Sequence, residues 1–160
     1  MTTHAGDAAV YSHPQIYDLL HTPGTAAEVD GLERLAKIYV QGDDSRGRGA
    51  REVQIRSWLE PACGTGRYLR VLARRAARRN VRTRLVGVDL NEPMLDFARE
   101  RISGASFVCA DMRLLTARAL GGGDFDAAFI LQNSIRHLQT DADIVKHLAA
   151  VRRCLRPGGV

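Results

Sequence analysis

A short glycine-containing segment constrains the fold of this chain more than any other feature. Residues 55–60 read IRSWLE, a short β-like run, and residues 66–79 place apolar side chains at helical spacing. The sequence EPACGTG (60–66) joins the two. Gly64 and Gly66 allow the backbone to turn tightly and a ligand to approach the main chain. The segment therefore predicts a strand–turn–helix unit with a ligand site at the turn.

The same alternation continues along the chain. Further β-like runs occur at 84–89, 106–110 and 125–131, and helical patterns at 93–102 and 141–155, where Ile144, Leu148, Val151 and Leu155 recur at helical spacing. Such alternation predicts an α/β fold with a parallel sheet and helices on both faces. Two helical stretches, starting near Pro14 and Thr25, precede a polar glycine-rich stretch (41–49). We therefore divide the chain into an N-terminal helical cap with its loop (1–50) and a core (51–160).

An acidic residue follows the second β-like run. Asp89 lies about 25 residues after Gly64, where the acid of a nucleotide-binding βαβ unit accepts hydrogen bonds from ribose hydroxyls. The third glycine of a dinucleotide site is missing, since Leu69 occupies its position, and no Gly-Lys-Ser/Thr sequence of a phosphate-binding loop exists. Glu60 beside the turn repels phosphate and suits an ammonium group. The expected ligand has a ribose and adenine but no obligatory pyrophosphate.

Five segments in order resemble the motifs of the class I S-adenosylmethionine-dependent methyltransferases. They are EPACGTG (60–66), VDLNEPML (88–95), VCADM (108–112), FDAAF (125–129) and LRPGG (155–159). The resemblance implies a Rossmann-like sheet and S-adenosylmethionine as the cofactor. It also implies cofactor-binding roles for Tyr17, Glu60, Ala62, Gly64, Gly66, Asp89, Leu90, Met94, Asp111, Met112 and Gln132.

The implied roles follow the parts of the cofactor. The turn and Glu60 would face the methionine end, with Glu60 orienting its ammonium group and Tyr17 closing over it. Asp89 would bind the ribose, and Leu90 or Met94 would pack on the adenine. Asp111 would accept the adenine amino group, and the Met112 N–H would meet a ring nitrogen. Gln132 would line the floor beside the methyl group. Met94 as plain core, Asp111 as a helix cap and Tyr17 as a packing residue are the alternatives for these positions.

The segment QNSIRHL (132–138) bears on the methyl acceptor. It resembles the Asn-Ser-x-x-His segment of small-molecule N- or O-methyltransferases such as the glycine N-methyltransferase type, and the Asn/Asp-Pro-Pro-Tyr/Phe signature of base-modifying enzymes is absent. We therefore expect a small-molecule acceptor with an N or O nucleophile. His137 is the candidate general base, since histidine titrates near neutrality. An ordinary cap or surface histidine is the alternative.

The resemblance covers only part of the family's sheet. That sheet has seven strands, whereas this sequence supplies about four and stops where a fifth should begin. We expect either a truncated form of a longer protein or a chain completed by a second copy or another subunit, because strand four would otherwise be an unpaired edge. A non-catalytic partner subunit that retains the cofactor fold is one alternative function.

The arginine content suggests a second alternative. The net charge is +5 with a pI of about 9.6, and the helix at 67–79 carries six arginines. Such a stripe suits RNA phosphates, as in an RNA methyltransferase or an RNA-binding module. Aromatic residues that could stack on bases do not regularly interleave with these arginines, so a solvated helix face is the favoured interpretation and a nucleic-acid partner is not expected.

Composition and the first residues of the chain argue against several other classes of protein. No apolar run approaches the roughly 20 residues of a membrane span, and the first residues lack a basic-then-apolar signal. The three cysteines are far apart, which indicates neither a disulfide framework nor a metal site. We expect a cytoplasmic protein without a metal and without a membrane partner.

Overall fold

A computed structural model describes residues 11–40 and 54–160. Within these residues, four parallel strands form one sheet in the order β3-β2-β1-β4. The strands are β1 Ser57–Pro61, β2 Arg84–Asp89, β3 Ser106–Cys109 and β4 Ala127–Ala128. The predicted α/β fold with a parallel, Rossmann-like sheet is confirmed.

Strand register places the ligand turn beside the acid. Trp58 of β1 pairs with Leu85 of β2 on one side and Ala127 of β4 on the other. At the carboxyl end, Pro61 lies opposite Val88, so the chain leaves β1 next to the point where β2 reaches Asp89. Parallel pairing thus brings the glycine turn and the acid to the same edge of the sheet.

In the part of the chain that the structure describes, five α-helices and one short 3-10 helix surround this sheet. They are α1 Pro14–His21, α2 Thr25–Tyr39, α3 Arg67–Arg78, α4 Glu92–Arg101, α5 Asp141–Cys154 and the 3-10 helix Ser134–His137. Their starts follow local signals. Proline occupies the first turn of α1 and α4, while the side chains of Asn91 and Thr140 accept hydrogen bonds from Met94 N and Asp143 N to cap α4 and α5.

Both faces of the sheet are covered, and successive side chains of each strand point to opposite faces. On one face, Trp58 and Leu85 pack with residues of α2, α3 and α4. On the other, Leu59 and Val86 pack with the 115–125 segment and with α5. The two-sided burial explains why these strands are apolar at successive positions.

Two sequence predictions about the second half of the core differ from the structure. The fourth strand is a two-residue ladder rather than 125–131, because Phe125 bridges to Leu155 and the chain turns away after Phe129. The face of α5 is also rotated. Leu148 is 55% exposed, whereas His147, Ala150 and Cys154 are buried, because Ala150 and Cys154 pack in the core and His147 contacts the Met112 carbonyl.

Val160 lies beside β4. Its N–H donates to Asp126 O at 3.0 Å, and its carbonyl accepts from Ala128 N at 2.7 Å. The edge of β4 that was expected to be unpaired is therefore occupied at this point.

The cap packs against the arginine-rich helix α3. Arg70 pairs with Asp18 of α1, Arg67 pairs with Glu28 of α2, and Arg75 pairs with Asp30 and Glu33. Arg79 also pairs with Glu33, whereas Arg74 and Arg78 are exposed. Most of the predicted stripe thus faces acids of the same chain. The glycine-rich stretch 41–49 and the boundary at residue 50 lie outside the described residues, so that domain division stays a prediction.

Within residues 11–40 and 54–160, no helix combines the length and the apolar character that crossing a membrane requires.

Candidate functional site

A cavity of about 730 Å³ opens at the carboxyl edge of β1 and β2. Its walls come from the cap, the glycine turn, the start of α4, the segment after β3 and the segment after β4. The lining residues are Tyr11, Tyr17, Ala62, Gly64, Asp89, Leu90, Asn91, Glu92, Pro93, Met94, Ala110, Met112, Gln132, Ser134 and His137. Most of the residues singled out from the sequence therefore border one cavity, although Glu60, Gly66 and Asp111 do not line it.

The turn after β1 adopts the left-handed backbone conformation at alternate residues. Ala62 has φ 55°, Gly64 has φ 53° and Gly66 has φ 66°. A Cβ on Gly66 would lie 2.9 Å from Ile102 Cδ1, so this glycine allows α3 to start close against the sheet. Gly66 therefore shapes the turn from behind, while Ala62 and Gly64 border the cavity.

The carboxylate of Asp89 is fixed by two backbone donors. Oδ2 accepts from Gly64 N at 2.7 Å and Oδ1 accepts from Asn91 N at 2.9 Å. These bonds tie the glycine turn to the start of α4. Each oxygen keeps a further lone pair for a ligand hydroxyl, because a carboxylate offers about four acceptor positions.

Glu60 lies beneath the turn in β1 and is 3% exposed. No group of the described residues forms a hydrogen bond with its Oε2. Burial raises the pKa of this carboxyl well above its usual range, an effect that nearby Arg67 opposes and Asp89 reinforces. A buried carboxylate oxygen without a donor is unusual and fits a site that a cationic ligand group would complete.

The segment after β3 is anchored by ion pairs and by α5. Arg113 donates to both oxygens of Asp111, and its Nη1 donates to Asp143 of α5 at 3.0 Å. The Asp111–Arg113 contact lowers the pKa of Asp111. The carbonyl of Met112 lies 3.0 Å from Nδ1 of buried His147. Asp111 thus holds the loop that presents Met112 to the cavity.

Aromatic rings form the outer wall of the cavity. The ring centroids of Tyr11 and Tyr17 are 5.7 Å apart, and Tyr11 meets His137 edge-on at 6.2 Å. His137 ends the 3-10 helix that follows Gln132 and Asn133, both of which have positive φ. Consecutive left-handed residues other than glycine are uncommon and concentrate at functional sites.

Several residues of the wall were not predicted from the sequence. Tyr11 contributes its ring, and its carbonyl accepts from Asn91 Nδ2 at 3.1 Å. A signal existed for Asn91, since asparagine three residues before Met94 predicts a helix cap at the start of α4. For Ser134 and Ala110 the sequence carried no comparable signal.

Comparison with known families agrees with this geometry. The family model described as "Methyltransferase domain" matches residues 59–159, which is most of the chain. The chain belongs to the class I S-adenosylmethionine-dependent methyltransferases. The matched region begins in β1 and includes the turn, Asp89 and the segments after β3 and β4, so the cavity of this methyltransferase is built mainly from the region that defines the family.

Individual relatives of this methyltransferase are longer proteins. A dTDP-3-amino-3,4,6-trideoxy-alpha-D-glucopyranose N,N-dimethyltransferase of Streptomyces venezuelae is 27% identical over 151 residues, covering 92% of this chain and 54% of that protein. The crystal structure of Streptomyces venezuelae DesVI matches with a TM-score of 0.69 and 26% identity, covering 98% of this chain and 56% of that one. The chain thus spans about half the length of these relatives.

A third similarity supports the fold alone. The structure of S-adenosylmethionine-bound CalS10, an amino pentose methyltransferase from Micromonospora echinaspora, matches with a TM-score of 0.67 and 24% identity. The match covers 99% of this chain and 55% of that one.

Proposed function

We propose that this methyltransferase transfers a methyl group from S-adenosylmethionine to a small-molecule acceptor through an N or O nucleophile. The observation that carries the proposal is the presence of two carboxylates, those of Asp89 and Glu60, at the turn. Asp89 borders the cavity with lone pairs free for hydroxyls, and Glu60 is buried beneath the turn with an unpartnered oxygen. Together they suit a ligand that has a ribose at one end and an ammonium group at the other.

The other residues fit the cofactor part by part. Asp89 would hold the ribose hydroxyls, and the backbone around Ala62 and Gly64 the methionine part. Leu90 is 68% exposed at the cavity and offers an apolar surface for adenine, next to buried Met94. The bound cofactor supplies a methyl group already activated by a sulfonium centre.

Methyl transfer requires that the chain align the acceptor with the cofactor, exclude water and remove a proton from the acceptor. Tyr17 lies over Gly64, and Gln132 lines the cavity in the segment after β4. Burial raises the pKa of Tyr17, so its phenol stays protonated and can donate a hydrogen bond. His137 at the outer wall would accept the proton that an N or O nucleophile loses.

One relative favours an amine nitrogen as the acceptor atom. The Streptomyces venezuelae protein is named as an N,N-dimethyltransferase of an amino sugar. We propose that the nucleophile here is an amine of a small molecule, with the rings of Tyr11 and Tyr17 beside it. Aromatic faces attract the ammonium that N-methylation produces.

The RNA alternative is disfavoured by the ion pairs of α3. Arg67, Arg70 and Arg75 are largely buried against acids of the cap, which leaves Arg74, Arg78 and Arg79 as the exposed cations of this helix. A phosphate-binding stripe requires several unpaired cations along one face. A non-catalytic partner subunit would have the same cofactor fold, so only a measurement of methyl transfer distinguishes it from an enzyme.

The test begins with calorimetric titration of the chain with S-adenosylhomocysteine. Saturable one-to-one binding is the expected result, followed by transfer of a radiolabelled methyl group from S-adenosylmethionine to amino-sugar nucleotides and simple amines. Binding without transfer to any acceptor would favour a non-catalytic partner subunit. A folded chain that binds RNA with steep salt dependence but not S-adenosylhomocysteine would replace the proposal with the RNA-binding alternative.

A further inference from the structure

One carboxylate of the cap joins helix α1 to the glycine turn. Asp18 Oδ1 accepts from Thr65 Oγ1 at 3.0 Å, and Asp18 Oδ2 pairs with Arg70 Nη1 at 2.9 Å. The Asp18 and Arg70 side chains are 15% and 13% exposed, and Thr65 is 1% exposed. Charge-assisted bonds in such a partly buried position are stronger than their surface equivalents.

Further contacts converge on the same first turn of α3. Arg70 Nη2 donates to Thr22 Oγ1 at 2.9 Å. Arg67, which is 3% exposed, donates to His21 O at 2.6 Å and contacts Glu28 at 3.0 Å. Arg67 directly follows Gly66. The position of α1 is therefore set by residues that belong to the cofactor turn or follow it at once.

The residue before Asp18 is the one that faces the cavity. A Cβ on Gly64 would lie 3.7 Å from Tyr17 Cε1, so the Tyr17 ring lies against the turn. Tyr17 borders the cavity, whereas Asp18 does not. Because adjacent helical residues move together, the anchor at Asp18 determines where the Tyr17 ring lies.

We propose that Asp18 is a positioning residue, which fixes α1 against the glycine turn so that Tyr17 closes the methionine end of the cofactor site. The inference rests on the proposed function and deepens it. Asp18 touches the turn and α3 but acts on the ligand only through Tyr17. A change in the position of the cap would then change the position of the cofactor turn, and the reverse.

The first experiment compares Asp18→Asn with Glu33→Gln. Glu33 is a matched control because it also joins the cap to α3, accepting from Arg75 at 2.5 Å and from Arg79 at 2.9 Å, but it has no contact with the turn. S-adenosylhomocysteine affinity is measured by calorimetry. We expect Asp18→Asn to weaken binding about tenfold, in line with the loss of a charge-assisted bond, and Glu33→Gln to leave it within about twofold. Equal losses in the two variants would overturn the proposal.

A double-mutant cycle tests whether Asp18 acts through Tyr17. Asp18→Asn is introduced into a Tyr17→Ala background, where the ring is already absent. We expect the additional loss of affinity to fall below about twofold. A tenfold loss in both backgrounds would show that Asp18 affects binding independently of Tyr17 and would overturn the proposal. Should Asp18→Asn fold poorly, Arg70→Gln removes the same ion pair from the other side and is expected to give the same pattern; a folded Arg70→Gln with unchanged affinity would contradict the proposal.

Amide hydrogen exchange separates this inference from the proposed function, because it needs no ligand. Asp18→Asn is expected to speed exchange in both α1 and residues 64–66, whereas Glu33→Gln leaves both segments unchanged. If the unaltered chain fails to bind S-adenosylhomocysteine, the proposed function fails, and the exchange result alone decides whether Asp18 joins the two segments. Unchanged exchange at residues 64–66 in Asp18→Asn would overturn the link.

Discussion

The carboxylate of Asp89 accepts a hydrogen bond of 2.7 Å from the backbone N–H of Gly64. One residue ends β2 and the other lies in the turn after β1, so the bond joins the two strand ends that border the cavity. The same carboxylate accepts from Asn91 N at the start of α4. Asp89 therefore shapes the site before any ligand arrives, and two backbone donors hold its oxygens in place for ribose hydroxyls.

Replacing this carboxylate should weaken cofactor binding strongly. In Asp89→Asn one acceptor oxygen becomes a donor group, which opposes either the Gly64 or the Asn91 N–H and removes charge-assisted bonds to the ribose. Each such bond contributes about 1.5–3 kcal/mol. We expect S-adenosylhomocysteine affinity to fall roughly 30-fold by calorimetry.

The matched control for Asp89 is Asp96→Asn. Asp96 is a surface carboxylate on α4 whose side chain is 64% exposed and paired with Arg99. Its loss should leave the affinity within about twofold, since exposed ion pairs contribute little. If Asp89→Asn binds as tightly as Asp96→Asn, the ribose role of Asp89 is excluded.

Much of this architecture follows from local sequence. The turn glycines, the acid after β2 and the helix caps are short-range signals, and parallel pairing brings them together once the strands are assigned. The short ladder of β4 was not predictable from FDAAFIL (125–131), because its apolar run continues to Leu131, whereas the backbone bonds to β1 end at Phe129.

Long-range pairs were harder to anticipate. The arginines of α3 looked like a solvated or nucleic-acid-binding face from spacing alone, yet their partners Asp18, Glu28 and Glu33 lie some 40 residues earlier. No periodicity argument pairs charges on separate helices. The ring of Tyr11 at the cavity wall depends on the same packing of the cap.

Gly66 should tolerate no side chain. Its φ is 66°, and an added Cβ would lie 2.9 Å from Ile102 Cδ1 and 3.0 Å from Phe107 Cε1. Gly66→Ala therefore combines an unfavourable backbone conformation with crowding in the core. We expect a loss of about 2–3 kcal/mol in the free energy of unfolding by urea denaturation.

Gly31→Ala is the opposite case and serves as the control for Gly66→Ala. Gly31 lies inside α2, and a Cβ there would meet nothing within 4 Å. Alanine should raise stability by about 0.5–1 kcal/mol through helix propensity. A Gly66→Ala variant as stable as the unaltered chain would contradict the turn geometry.

His137 should affect turnover and leave cofactor binding unchanged. It lines the cavity and its ring meets that of Tyr11. Once an acceptor is identified, His137→Gln should lower kcat by about 10²-fold or more, as expected for loss of a general base, with S-adenosylhomocysteine affinity within about twofold. The control is His13→Gln at an exposed position before α1. Equal kcat values for the two variants would assign His137 to the ordinary surface role.

Glu60 should lower the free energy of unfolding at high pH and strengthen the binding of S-adenosylhomocysteine. Burial, partly opposed by Arg67, raises the pKa of its carboxyl well above the usual range of a glutamate. The folded state therefore holds this proton more tightly than the unfolded chain does. Its contribution to stability is full below pH 4.5 and is lost as pH rises through the raised pKa.

Glu60→Gln removes this titration while keeping the shape of the side chain. We expect Glu60→Gln to have a higher free energy of unfolding than the unaltered chain, and this advantage to be about 1 kcal/mol larger at pH 8 than at pH 5. We also expect the variant to bind S-adenosylhomocysteine more weakly, because a neutral amide cannot pair with the ammonium group. Urea denaturation at both pH values and calorimetry at pH 8 provide the measurements. Glu100→Gln, whose side chain is 73% exposed, is the control and should change neither quantity. A Glu60→Gln variant that gains stability but binds with undiminished affinity would separate Glu60 from the ammonium group and leave it as a buried structural acid.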